Sequence, residues 1–449
     1  MLADRQGNQM TGATCETVEL FDRAVTAFNL YRGTPVELLD QAVDQAPDFA
    51  MAHILRVHLL ALSTEAEATE RAARRLAQVQ QMDLNEREAS HVAALRNLVD
   101  GNWTTASEAL NRHNGRYPYD LVALQSGHLM DFYRANAASL HDRIAQVMPQ
   151  WSRGMPGYSV VLGMLAFGLE ESGDLSRAEA VGREAIEVEP LNCWAHHAVA
   201  HVMEMQGRAE EGISWMQARE PYWAGDGNFF QIHNWWHKAL FHLELGEADA
   251  ALTLYDGRIR GEKSAVAVQL VDASALLWRL SAAGFDVGER WTELSENWDR
   301  HTIWTFYPFN DWHAVMAHLG AGQDAKVERM LECYRRCHVN GAETSAWACH
   351  IGRPLIEGFT AFWRGDYQAA ASWLTGARNI TQAFGGSHAQ RDVITWTLTE
   401  AALRGGLTGL AESLASERLT MKPHSPLTRS FLTRAVPSPE RMGNGAWQR

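Results

Sequence analysis

In residues 159–192, SVVLGMLAFGLEESGDLSRAEAVGREAIEVEPLN, small and apolar residues fall where two antiparallel helices need them. Ala166 lets the first helix approach its partner closely, and Gly173-Asp174 makes the turn. Ala178 and Ala185 lie on the packed face of the second helix, and Pro190 stops it, as proline does just past a helix end. No stretch shows a sustained alternation of β-branched and polar residues bounded by hairpin turns. The pattern predicts an all-α chain.

The turn glycine recurs with similar neighbours at 101, 173, 207, 246, 284, 322, 365 and 405, and Asn136 in YRANAAS is expected to fill the same place. From Gly173 on, the spacings run from 34 to 43 residues. This is the tetratricopeptide spacing with longer loops in the later units, and it predicts a right-handed α-solenoid of about eight to ten antiparallel helix pairs enclosing a concave groove. One repeat cannot bury its own apolar face, so residues 1–449 read as a single solenoid domain. Its parts are an N-terminal cap (1–50), repeats (51–420), and a C-terminal cap with a loose tail (421–449).

Composition removes several functions. A formal net charge of −14 and the absence of any long Lys/Arg block argue against nucleic acid. The longest uncharged apolar run, GYSVVLGMLAFGL, is too short to span a bilayer, and the start MLADRQGNQMTG lacks a signal-peptide pattern. Five scattered cysteines (Cys15, Cys193, Cys333, Cys337 and Cys349) do not form a disulfide framework. The expectation is a soluble cytoplasmic protein with no membrane and no nucleic-acid partner. Signatures for nucleoside triphosphates, dinucleotides, serine hydrolysis and H-E-x-x-H zinc are missing. CYRRCH with Cys349 and His350 lacks the tight knuckle of a structural zinc site.

The stretches FGLEESGD, AHHAVAHVMEMQGR, ISWMQAREPYWAGDGNFFQIHNWWHKALFHLELGE, HAQRD and LTMKPHSP resemble the tetratricopeptide repeat protein 38 family. The resemblance spans about residues 20 to 430 and implies the α-solenoid fold and a soluble protein. It carries over no catalytic residue.

The chemistry concentrates in HHAVAHVME (196–204) and HNWWHKALFHLE (233–244). Six histidines lie in residues 196–242, where an even spread of the chain's 19 would put about two. With the turn glycine as position fifteen, His197, His201 and Glu204 occupy positions five, nine and twelve of a first helix. His233, His237 and Glu244 occupy positions two, six and thirteen of the next. First helices line the concave side, and each set falls on one stripe, so both stripes are expected to face a common small ligand. His196 sits about 100° off the stripe and is expected to have another role. The competing reading is interhelix packing beside Trp194, Trp235, Trp236 and Phe241.

The functional reading makes His197, His201, His233, His237 and Glu204 acid–base groups, or makes the imidazoles ligands of zinc, iron or manganese, with Glu204 and Glu244 as further candidates. Trp194 and Trp236 would contact the ligand. Asn310, Asp311 and His313 start another first helix in YPFNDWHAVMAH, where they either cap it or reach the groove. Arg353 with Glu357, and His388 and Arg391 with Asp392, either tie repeats together or clamp a substrate anion. Two uses remain: a cavity for a small molecule with acid–base or metal-assisted chemistry, or a non-catalytic groove for a peptide or protein partner.

Overall fold

The computed structural model describes residues 2–225, 227–378 and 385–436, so the expected loose tail from 437 onward lies outside the described residues. Most of what is described is helix, and nearly all of its regular structure is. A two-residue ribbon pairs Leu2 with Met10 and Ala3 with Gln9 in antiparallel register. Helices then follow as antiparallel hairpins, from Cys15–Leu30 with Pro35–Gln45 through to His388–Arg404 with Thr408–Met421, and Pro426–Ala435 closes the run. The all-α solenoid is the fold.

Local sequence explains the hairpins. The turn glycines adopt a left-handed backbone that residues with a Cβ resist, for example φ +86° at Gly173 and +71° at Gly207. At LRGG the left-handed residue is Gly406, one position after the glycine that the spacing selects. At YRANAAS it is Ala135 (φ +52°), while Asn136 caps the following helix through its side-chain oxygen on Ser139 N. Asparagine serves better there as a cap, because its carbonyl reaches a free amide that alanine could not satisfy.

The two helices of a hairpin differ in burial. Leu175–Val188 buries one stripe, Ala178, Gly182, Ala185 and Ile186, and leaves the rest half-buried or exposed. Its partner Tyr158–Glu171 is buried on every side from Ser159 to Glu171, and Cys193–Gln206 likewise from Cys193 to Glu204. A helix buried all round needs neighbours on both faces. The flanking repeats supply most of them, and segments far off in sequence add the rest, because the coil closes on itself.

The closure is visible in hydrogen bonds between remote segments. Gly33 N donates to Gly227 O (2.9 Å), Thr344 N to Gly101 O (3.2 Å) and Gly385 N to Tyr133 O (2.8 Å). Trp278 Nε1 donates to Thr397 Oγ1 (2.9 Å). Glu171 holds the start of the His388–Arg404 helix by three contacts: His388 N at 2.8 Å, His388 Nδ1 at 3.0 Å and Arg391 at 3.5 Å. The concave side is therefore a packed interior. Among the described residues no helix is long and apolar enough to cross a membrane.

Glu171 is almost fully buried, as is Arg391, so Glu171→Ala leaves a buried guanidinium without its carboxylate. We expect it to cost about 3–5 kcal/mol in urea unfolding. Arg177→Ala removes an exposed pair with Asp174 and should cost under about 1 kcal/mol. Similar losses in the two variants would mean that Glu171 does not tie the ends together.

Candidate metal centre

Two consecutive inner helices set up the site. Asn192 caps Cys193–Gln206 by accepting from Ala195 N (3.0 Å), and its amide nitrogen donates to Ser159 O (2.9 Å), which fixes the helix against the preceding repeat. The i, i+4 spacings 197/201 and 233/237 then place two imidazoles one turn apart on each of two adjacent helices. Their ring centroids lie 4.3 Å apart within the first pair and 4.7 Å within the second. Across the helices the distances are 4.4–4.9 Å. One ring nitrogen from each of the four comes within 4.8 Å of all the others.

Two carboxylates orient two of these rings: Asp272 Oδ2 lies 2.8 Å from His233 Nδ1 and Glu204 Oε2 lies 2.9 Å from His237 Nδ1. Glu170 Oε2 lies 3.4 Å from His201 Nδ1 without forming a hydrogen bond, and burial pushes its carboxyl well above the usual range. A carboxylate beside Nδ1 holds the proton there, leaving Nε2 with a lone pair. Yet His233 Nε2 sits 3.2 Å from His237 Nε2 and 3.1 Å from His197 Nε2. The first of these contacts joins two acceptors. Burial and the neighbouring imidazoles hold His237 well below the usual histidine range, so protonating that ring does not relieve the approach. A cation between the nitrogens relieves it: ligands about 2.0–2.1 Å from zinc and 90–109° apart stand about 2.9–3.4 Å from one another.

A second buried cluster of metal-ligating side chains, His91, His113 and Asp120, is arranged differently. Asp120 accepts from Arg87 (2.6 Å), His91 Nε2 (3.0 Å), His113 Nε2 (3.1 Å) and Ala123 N (3.1 Å). His58 Nε2 in turn meets His91 Nδ1 at 3.0 Å. Each of these contacts matches a donor with an acceptor. The cluster of His197, His201, His233 and His237 does not.

Beside the imidazoles lies a small cavity of about 80 Å³. Its walls include Tyr31, Phe132, Trp194, Phe230, Tyr307 and Phe309, and half-exposed Phe229 stands at its rim. His233, 9% exposed, is the imidazole that reaches it, whereas the other three are at 0%. Trp194 and Phe230 each pack 5.0 Å from the His197 ring.

Several expected residues play other parts. Glu204 positions His237 and pairs with Lys422 (3.6 Å), so it supports a ring instead of joining the nitrogen centre. Glu244 accepts from Ser425 Oγ (2.5 Å) and Leu427 N (3.3 Å), because the last helix lands on its side of the stripe. Trp236 stacks behind His233 (5.3 Å, 16°) instead of lining the cavity. Asp311 accepts from Tyr334 Oη (2.6 Å) and Thr305 N (2.7 Å), with burial lifting its carboxyl to about 6, and His313 Nδ1 donates to Phe309 O (2.7 Å). Both turn into local packing. Asn310 does line the cavity.

Glu357 pairs with Arg335 (2.7 Å), so the expected Arg353–Glu357 pair does not form, and Asp392 pairs with Arg418 instead of Arg391. Arg391 and His388 are held by Glu171, and neither they nor Arg353 line the cavity. His196 Nε2 donates to Pro190 O (2.9 Å), the separate role its angle implies. Sequence reasoning missed Asp272, Glu170 and the walls Tyr31 and Phe230. Only Glu170 carried a signal: it precedes Gly173 by three residues, as Glu204 precedes Gly207.

No protein-family model matches the chain. Similar solved structures include the APC/C hetero-tetramer Cut9–Hcn1, at 14% identity and TM-score 0.45, covering 96% of this chain and 78% of that one. A human IFIT1 dimer with m7Gppp-AAAA matches at 14% and 0.42, covering 96% and 95%, and yeast Tom70 at 12% and 0.32, covering 93% and 87%. The likeness is too distant to transfer a ligand or an activity.

Burial also depresses histidines outside the cluster: His91, His196 and His318 to about 4, His128 and His313 to about 3. The unfolded chain therefore binds more protons than the folded one below the free value of 6.5. Stability should be full above that value and fall as pH drops from it toward about 4. A urea midpoint at about pH 5 equal to that at about pH 7.5 would contradict the buried, neutral assignment.

Proposed function

We propose that this protein holds one divalent transition-metal ion on His197, His201, His233 and His237 and presents it to a small molecule in the adjoining cavity. The observation that carries this reading is the 3.2 Å approach of His233 Nε2 to His237 Nε2 while both Nδ1 atoms face carboxylates. All-imidazole ligation suits zinc or iron better than manganese, which favours carboxylate oxygens. Four neutral ligands leave the ion's positive charge undiminished, and activation of a carbonyl or of water would use a further coordination position beyond the four imidazoles.

The residues divide the work. The four imidazoles bind the ion, and Glu204 and Asp272 fix the orientation of His237 and His233 and raise their basicity as ligands. Gln390 Nε2 steadies Asp272 through its other oxygen (3.2 Å). The aromatic walls exclude water and admit an apolar body, and His233 stands where centre and cavity meet. A bound peptide would need an open concave surface, and here the His388–Arg404 helix packs inside the coil against inner helices. A protein partner would have to use the convex face.

Metal analysis by mass spectrometry after loading with Zn(II) or Fe(II) should find about one equivalent per chain. His237→Ala should lose it, while Glu204→Gln should weaken it about 10–100-fold. A folded native protein that retains no zinc or iron after loading would overturn the metal reading.

A further inference from the structure

Glu170 and Glu171 stand side by side at the end of the inner helix Tyr158–Glu171, 2% and 3% exposed. Successive residues on a helix point about 100° apart, yet each brings an oxygen to His201 on the next inner helix. One oxygen from each carboxylate and one ring nitrogen of His201 lie within 4.8 Å of one another. All three side chains are buried.

The two carboxylates differ in what they already hold. Glu171 is oriented by His388 and Arg391, and its Oε1 accepts the His388 amide (2.8 Å) and keeps a second lone pair. Neither cation reaches Glu170. Both Glu170 oxygens lack a hydrogen-bond partner, as do both ring nitrogens of His201, although Glu170 Oε2 and His201 Nδ1 stand 3.4 Å apart. Buried carboxylates side by side repel. A cation among the three groups satisfies all of them at once. Ligating carboxylates are themselves held by hydrogen-bond donors, which is the part His388 and Arg391 play toward Glu171.

We propose that Glu170, Glu171 and His201 Nδ1 hold a second divalent cation, separate from the ion on the four imidazoles. Carboxylate oxygens with one imidazole suit manganese(II), whereas the all-imidazole centre suits zinc or iron. With both ions present, His201 binds one through Nδ1 and the other through Nε2, and its ring proton leaves to solvent. An ion enclosed by its own ligands needs no open channel, because it can enter as the chain folds. The second site stands on its own ligands and does not require the first.

The test is to unfold the full chain in urea, refold it with one equivalent of Zn(II) and an excess of Mn(II), and remove unbound metal. Mass spectrometry should find about one manganese per chain besides the zinc. Pulsed electron paramagnetic resonance should show the manganese coupled to a single imidazole. Glu170→Gln should keep the zinc and hold manganese at least about ten-fold more weakly, since even residues behind the ligands are worth that much. The measurements on the native protein stand even if that variant misfolds. Manganese coupled to several imidazoles, or held equally by Glu170→Gln, overturns the proposal. Zinc retained without manganese sinks the second site and leaves the four-imidazole centre. Manganese on one imidazole without zinc does the reverse.

Discussion

A helix buried on every side must find a partner for each polar group it carries, because no water reaches it. The inner helices here carry many such groups, and the closed coil supplies their partners from repeats far away in sequence. Glu171 meets His388 and Arg391, Asp272 meets Gln390, and Trp278 meets Thr397. Other buried polar atoms lack partners, among them both ring nitrogens of His128 and both amide atoms of Asn234. The nitrogen centre differs in setting acceptor against acceptor, beside an aromatic cavity.

The repeat was legible because a turn glycine and small packed residues are local signals. The His197/His201 and His233/His237 pairs were legible for the same reason: i, i+4 spacing and repeat position fix the side of a helix without knowledge of its neighbours. Asp272 was not, since its role depends on the next inner helix presenting an aspartate opposite His233. The walls Tyr31 and Tyr307 were further out of reach, because loop closure brings them together. The same long-range closure misdirected the readings of Glu244, Asp311 and Arg391. Each lies near the expected stripe or helix start, and each is claimed by a segment that sequence spacing does not place: the last helix, Tyr334 or Glu171.

The two histidine clusters show that composition alone does not separate structure from chemistry. Both are buried, and both hold imidazoles next to carboxylate. In one, Asp120 sits at the centre and the imidazoles point at it. In the other, the carboxylates stand outside and the imidazoles point at each other. Inverting that order turns a helix-capping network into an arrangement suited to a cation.

The closure also separates this coil from open repeat arrays, in which each unit touches only its neighbours and units can be added or removed at the ends. Here the cavity has walls from Tyr31 in the first hairpin to Gln390 in the last. As the chain emerges during synthesis, the four imidazoles can gather once two repeats exist, but the chamber beside them has no far wall until the final hairpin docks. A nascent or truncated chain would therefore offer an open, solvated imidazole cluster, and only the finished one sets an aromatic-walled cavity beside it.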